Sequence, residues 1–438
     1  MTLVFQRRFG TNLVQCNCNI CRTEAPRFNQ NCRGLKMEKW AKKYSALFIC
    51  VCLIRRLSWV QALVKDDGVG LCSHLILPSG YPCIEHAVVT EDGFVLGIQH
   101  IPYGIHDEGI LTIDSRPPVF LQHGLFQGGD TWFQNSKEQS LGFILADSGF
   151  DVWVGNVRGT RWSYGHVSLS EDSKAFWDWS WEELAAYDLP AMIEFVYSVT
   201  GSKVYYVGHS QGTIMGLAAF TQSEVTNMIG AAALLSPISY LDHITSTFAR
   251  TAVNMHLDEM MISMGIHQIN FRTKVGLQLV DYVCALEDSK CGNLLTSITG
   301  PNCCFNNSRV DFYLQYEPHP SSTKNLKHLF QMIRKGTFEK FDYGLWGNIK
   351  HYGSFTPIPY DLSRIPKSFP LWMAYGGNDA LADIVDFNRT LSELKCDPEL
   401  VYLESYGHLD FIYSVQAKED LYDSMVKFFR SQSSTSYT

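Results

Sequence analysis

The chain has 438 residues, 46% of them hydrophobic and 18% charged, an ordinary globular composition long enough to bury a large core. Its formal net charge is −8, and residues 1–62 hold 11 of the 36 Lys and Arg, so the body lacks the clustered cations that nucleic acid requires. The 26 Phe, 21 Tyr and 10 Trp suit instead a site that handles apolar ligands.

Residues 1–62 read as a targeting region. Lys39, Lys42 and Lys43 precede an apolar run from Tyr44 to Ile54, and Val60-Gln61-Ala62 offers small residues at signal-peptidase spacing. The run is too short to span a bilayer, so a cleaved signal near Ala62 is expected, with no transmembrane span in the mature chain. Met37 is a second candidate start, which would make residues 1–36 an upstream extension; an acid-poor transit peptide is the other reading of them. Secretion is the expected destination, with a vacuole- or lysosome-like compartment as the alternative.

Cysteine usage agrees with export. Beyond residue 62 stand Cys72, Cys83, Cys284, Cys291, Cys303, Cys304 and Cys396. Cys72 and Cys83 bracket a short Pro-Gly segment, and the next four crowd together without the C-x2-C pairs of a zinc site, so disulfides are expected. An odd number leaves one over, and the isolated Cys396 is the natural candidate. The sequons at Asn306 and Asn388 are candidate glycosylation sites.

The body alternates strand-like and helix-like stretches. Glu85 to Val89 and Val95 to Gln99, joined by Thr90-Glu91-Asp92-Gly93, predict a hairpin with an Asp-Gly turn. Val119 to Leu121 and Asp151 to Val154 predict short buried strands. Residues 181–199 carry helical spacing that Pro190 must kink or interrupt. Val204 to Val207 predicts a strand, Thr213 to Phe220 a helix and Ala231 to Leu235 a strand. Leu371 to Ala374 and Leu400 to Leu403 follow much later, then a helix from about Lys418 to Phe429. This rhythm predicts an α/β fold with a mostly parallel central sheet flanked by helices. It breaks over residues 238–350, read as a helical cap or lid between two parts of the core, residues 63–237 and 351–438.

Gly208-His209-Ser210-Gln211-Gly212 fits G-x-S-x-G and lies directly between a strand and a helix, a turn that projects a serine hydroxyl from the sheet edge. Such a serine needs an imidazole base and an acid to orient it, both on loops after later strands. Asp379 and His408 stand in that order. Asp383 and Asp410 lie close enough to be mistaken for the acid. The tetrahedral intermediate needs two backbone N–H donors, expected from Gln211 and from Leu125 in the turn Gln122-His123-Gly124-Leu125, with His123 bracing that turn.

These segments, together with Gly155-Asn156-Val157-Arg158-Gly159-Thr160, Gly376-Gly377-Asn378-Asp379 and Tyr406-Gly407-His408-Leu409-Asp410, resemble the acid lipase family of α/β-hydrolases, which includes gastric and lysosomal lipases. Phe176-Trp177-Asp178-Trp179-Ser180-Trp181 and the segment around Cys303-Cys304 resemble its plant branch. The likeness runs from about Cys72 to Phe429. It implies hydrolysis of triacylglycerol or related acyl esters at a lipid–water interface, no cofactor, no metal and a helical cap with a lid. It carries over the triad Ser210, Asp379 and His408 and the donors Leu125 and Gln211. Sterol ester hydrolysis or lipid acyl transfer on the same scaffold is the alternative, and a binding protein without turnover is a third reading.

Overall fold

The structure, a computed structural model, describes residues 70–105, 116–274 and 294–435, together with Gly276 and Gln278. The targeting region, Cys284 and Cys291 lie outside the described residues.

Eleven strands are present among the described residues: β1 Ile84–Val89, β2 Phe94–Ile101, β3 Pro118–Gln122, β4 Asp151–Gly155, β5 Gly165–His166, β6 Val204–His209, β7 Ile229–Leu235, β8 Gln268–Ile269, β9 Ser321–Ser322, β10 Leu371–Gly376 and β11 Glu399–Leu403. Nine of them form one sheet in the order β1-β2-β4-β3-β6-β7-β10-β11, with β5 added to β2. The pairs β1–β2 and β2–β4 are antiparallel, and every pair from β4 to β11 is parallel. The predicted hairpin is β1–β2. Its turn closes with Gly93 N–H on Thr90 O and Thr90 N–H on Phe94 O, both 2.9 Å, and Gly93 has φ +97°, which only glycine adopts freely.

Every residue of β3, β4 and β6 is buried, which is why these strands read as continuous apolar runs without alternation. The strand period of two nevertheless splits them between two cores. Phe120, Trp153 and Tyr206 face one core, and Val119, Leu121, Val152, Val154, Tyr205 and Val207 face the other.

The helices that matter for the site are α1 Leu141–Asp147, α2 Leu189–Thr200, α3 Gln211–Phe220, α4 Thr247–Asn254, α5 Leu257–Ser263, α6 Thr323–Lys335, α7 Ile384–Glu393 and α8 Asp423–Thr435. The expected break around Pro190 is a wide turn, Leu184–Asp188, in which Leu189 N–H reaches back to Leu184 O just before the proline. Upstream, Ser180 and Glu183 form a reciprocal capping box, and Gly201 at φ +65° ends α2.

The described residues between 238 and 350 hold several helices and one short ladder, β8–β9, that the sequence did not indicate. Helices α4, α5 and α6 enclose a small core of their own, in which Met261 is buried; Met264 faces solvent. Ser322 caps α6 by accepting from Lys324 N–H at 3.0 Å, and Arg334 and Lys335 sit at its C-terminal end, where they oppose the helix dipole. Cys72 pairs with Cys83, Cys303 pairs with its neighbour Cys304, and Cys396 is free and buried.

Arg158 is the anchor of the β4–β6 side. Its guanidinium is 1% exposed, meets Asp188 at 2.7 Å and Asp92 at 2.5 and 2.9 Å, and lies 3.9 Å over the Phe94 ring. It therefore ties the hairpin turn to the residue that closes the wide turn before α2. Removing the cation strands a fully buried carboxylate. Arg158→Met should lower the unfolding free energy by about 3–5 kcal/mol in chemical denaturation; a loss below about 1 kcal/mol would contradict this anchoring.

Candidate active site

Ser210 stands at the tip of the turn between β6 and α3 with φ 54° and ψ −118°. A non-glycine residue there is strained, by about 1–3 kcal/mol, and needs neighbours that leave it no alternative. Ser210 N–H donates to Leu235 O at 3.1 Å, and its own carbonyl accepts from Thr213 N–H at 2.8 Å and Thr213 Oγ1 at 2.6 Å. Tyr206 Oη holds Gly212 O at 2.6 Å. A Cβ on Gly212 would lie 2.5 Å from Gln122 O, and one on Gly208 would lie 3.0 Å from Gly212. Both glycines are thus required for close approach of chain to chain.

His408 Nε2 lies 2.7 Å from Ser210 Oγ, and its Nδ1 lies 3.0 and 2.9 Å from the two oxygens of Asp379. Since a carboxylate can only accept, Nδ1 carries the hydrogen and Nε2 offers a lone pair to the serine hydroxyl. All three residues are buried. Burial opposes the ionised form of Asp379, yet the His408 imidazole and the N–H groups of Ala382 and Leu381, at 2.8 and 2.9 Å, hold its carboxyl below the usual range.

The two neighbouring acids do other work. Asp383 caps α7 by accepting from Val385 N–H at 2.8 Å. Asp410 accepts from Gly407 N–H at 2.8 Å, Cys303 N–H at 2.9 Å and Cys304 N–H at 3.2 Å. His408 N–H in turn donates to Thr299 O at 3.1 Å, and Leu409 N–H to Asn302 Oδ1 at 3.1 Å. Residues 299–304 therefore hold the histidine loop from outside.

Of the expected oxyanion donors, Gln211 follows Ser210 directly and Leu125 follows Gly124. Gly124 approaches so closely that a Cβ on it would lie 2.9 Å from Ser210 Cβ. Gln211 is the first residue of α3, where N–H groups lie outside the helix's own ladder. The Leu125 turn is braced on several sides. Gly124 N–H donates to Gln127 Oε1 at 2.9 Å, and Phe126, at φ 60°, has its carbonyl held by His319 N–H at 2.7 Å. His123 donates from Nδ1 to Gly124 O at 2.9 Å and accepts Val157 N–H at Nε2, 3.2 Å, so it braces the turn as expected.

Three contacts gave no sequence signal. Asn325, buried on α6, donates to Gln211 Oε1 at 2.8 Å and so joins the helical segment to the residue after the nucleophile. His209 and Gln127 meet behind the triad at 3.0 Å. Asp130, Glu317 and His319 converge as if for a cation. However, His319 Nδ1 accepts Arg161 N–H at 3.1 Å, so its hydrogen sits on Nε2, directed at Asp130 Oδ1, 2.9 Å away. That ring has no lone pair left for a metal.

A family profile described as a partial alpha/beta-hydrolase lipase region matches residues 72–136, and one described as the alpha/beta hydrolase fold matches residues 117–260. The chain is 56% identical over 363 residues to triacylglycerol lipase 1 of Arabidopsis thaliana, covering 83% of this chain and 91% of that protein. It belongs to the acid lipase family. Gastric triacylglycerol lipase of Bos taurus is 38% identical over 394 residues, covering 87% and 97%. Among solved structures, the monoglyceride lipase of Saccharomyces cerevisiae aligns with a TM-score of 0.51 at 13% identity, over 79% of this chain and 94% of that one, a likeness of fold. As an acid lipase family member, the chain keeps a serine, an acid and a histidine in the order that its sheet topology demands.

Burial keeps three histidines neutral: it pushes His123 down to about 4, and His209 and His328 down to about 3. Each folded value lies below the usual 6.5, so between about 6.5 and 3 the unfolded chain binds protons that the native state refuses. Stability from these groups is present above that window and lost as pH falls through it. Denaturant titrations at pH 7, 5.5 and 4 should show His328→Gln with a flatter decline than the unsubstituted protein. Equal slopes would exclude the burial of neutral His328 as a source of acid lability.

Proposed function

We propose that the protein hydrolyses carboxylic esters of lipids, triacylglycerols foremost, through an acyl-enzyme on Ser210. The observation that carries this reading is the unbroken hydrogen-bonded line from Ser210 Oγ through His408 to Asp379, on a chain of the acid lipase family. His408 Nε2 takes the hydroxyl proton as Oγ attacks the ester carbonyl, and Asp379 orients the ring and stabilises its cation. The N–H groups of Leu125 and Gln211 receive the developing oxyanion, each donor contributing about 2.7–4 kcal/mol to the barrier reduction. His408 then protonates the departing alkoxide. Water, deprotonated by the same ring, cleaves the acyl-enzyme and restores Ser210. No cofactor takes part in these steps.

The helical segment 238–350 serves in this reading as a cap over the site, and the Gln211–Asn325 bond supports that role. The substrate is taken at a lipid–water interface. No helix among the described residues is long and apolar enough to cross a membrane. The signal-like N-terminus and the Cys72–Cys83 disulfide support export. Asn388 is exposed on α7 and Asn306 is partly so; both are proposed glycan sites, readable as a mass loss on glycosidase treatment.

Ser210→Ala should leave the fold intact by circular dichroism and lower kcat on a p-nitrophenyl ester by about 10⁴-fold or more. Retained turnover would overturn the mechanism. Release of fatty acid from triolein should exceed release from cholesteryl oleate; the reverse order would make the protein a sterol ester hydrolase.

A further inference from the structure

The side chain of His209 sits inside the nucleophile turn, yet none of the steps above uses it. It is 1% exposed, and its ring centroid lies 5.1 Å from that of His408. Its two nitrogens point to two different loops. Nδ1 lies 3.0 Å from Gln127 Oε1, and Nε2 lies 3.0 Å from the backbone carbonyl of His408.

The orientation of Gln127 follows from its other partners. Its Oε1 accepts Gly124 N–H at 2.9 Å, and its Nε2 donates to Thr131 Oγ1 at 3.0 Å. Exchanging the two amide atoms would set an NH2 group against Gly124 N–H, so the oxygen must face His209. Both neighbours of the imidazole are therefore acceptors. A neutral ring carries one hydrogen and can satisfy one of them; the His408 carbonyl has a second donor, Ser236 Oγ, at 3.5 Å. The ring thus stands between the turn that presents Leu125 N–H and the main chain of the general base, and its one proton bonds one of these two acceptors at a time.

We propose that His209 is a positioning residue, which keeps the oxyanion turn and the His408 loop in register about Ser210 by bridging Gln127 to the His408 carbonyl. The proposal rests on the reading of Ser210, Asp379 and His408 as the triad. Acyl transfer needs the donor and the base correctly placed at the same moment, and a displacement of about 1 Å can cost on the order of 100-fold in rate. A bridge between the two elements acts on the rate of turnover more than on the holding of substrate.

The test uses the full chain and a soluble p-nitrophenyl ester, with active sites counted by stoichiometric labelling with a fluorophosphonate. His209→Gln keeps an N–H near the Nε2 position, His209→Asn keeps one near Nδ1, and Gln127→Ala removes the far end of the bridge. Each should lower kcat per labelled site by about 10- to 100-fold, with KM held within about twofold. The double variant Gln127→Ala/His209→Asn should be no slower than the slower single one, because either change already breaks the bridge. Unchanged kcat per labelled site, with only fewer sites labelled, would reduce His209 to a packing residue and overturn the proposal. So would single effects that multiply in the double variant. Should one His209 variant fail to fold, the other decides on the same readout, since Gln127→Ala also removes the acceptor of Gly124 N–H. Labelling that misses Ser210 in the unsubstituted protein would overturn the triad reading instead, which separates the two failures.

Discussion

Everything at this site hangs on the backbone of Ser210, held in a left-handed conformation between the buried strand β6 and the helix α3. Such a turn costs free energy and persists only where the surroundings leave no other route. The surroundings here are backbone to backbone: Gly212 against Gln122 O, Gly208 against Gly212, and Ser210 N–H on Leu235 O. The strain is what lifts the hydroxyl clear of the sheet edge, within 2.7 Å of His408. Relaxing the turn would withdraw the Ser210 hydroxyl and the first helical N–H together.

The partners of Ser210 come from loops, which have little stiffness of their own. Each loop is therefore braced by a segment distant in sequence. Residues 299–304 and the buried carboxylate of Asp410 hold the histidine loop. His123, Gln127 and His319 hold the turn that carries Leu125. Asn325 reaches from α6 to the side chain of Gln211. Three of these braces come from the stretch between β7 and β10, so the helical segment stabilises the site as well as standing beside it.

Several buried polar groups near the site sit against a partner of opposite need. Arg158 lies between Asp92 and Asp188, and Asp379 lies between an imidazole and two N–H donors. His319 donates to Asp130 on one side and accepts from Arg161 N–H on the other. His209 differs, with an acceptor on each side of its ring.

The proposed reacting residues were legible in the sequence because each is announced by its local setting. A serine flanked by glycines after an apolar run, a Gly-Gly-Asn-Asp after another, and a Gly-His after a third depend on backbone geometry spanning a few residues. The central strands were legible because burial on both faces leaves a continuous apolar stretch, and the hairpin because of its Asp-Gly turn. The ladder of β8 and β9, the pairing of Cys303 with Cys304, and the braces Asn325, His319 and Gln127 were not. The ladder and the braces join residues far apart in the chain through a few hydrogen bonds, which no periodicity or spacing records, and the cysteine spacing leaves the disulfide pairing open. By itself, the sequence determined which segments carry the candidate serine, acid and histidine and in what order, because those follow from short-range backbone rules. Only the tertiary structure showed which acid faces His408, because Asp379, Asp383 and Asp410 lie close together in the chain and are told apart by what surrounds each of them.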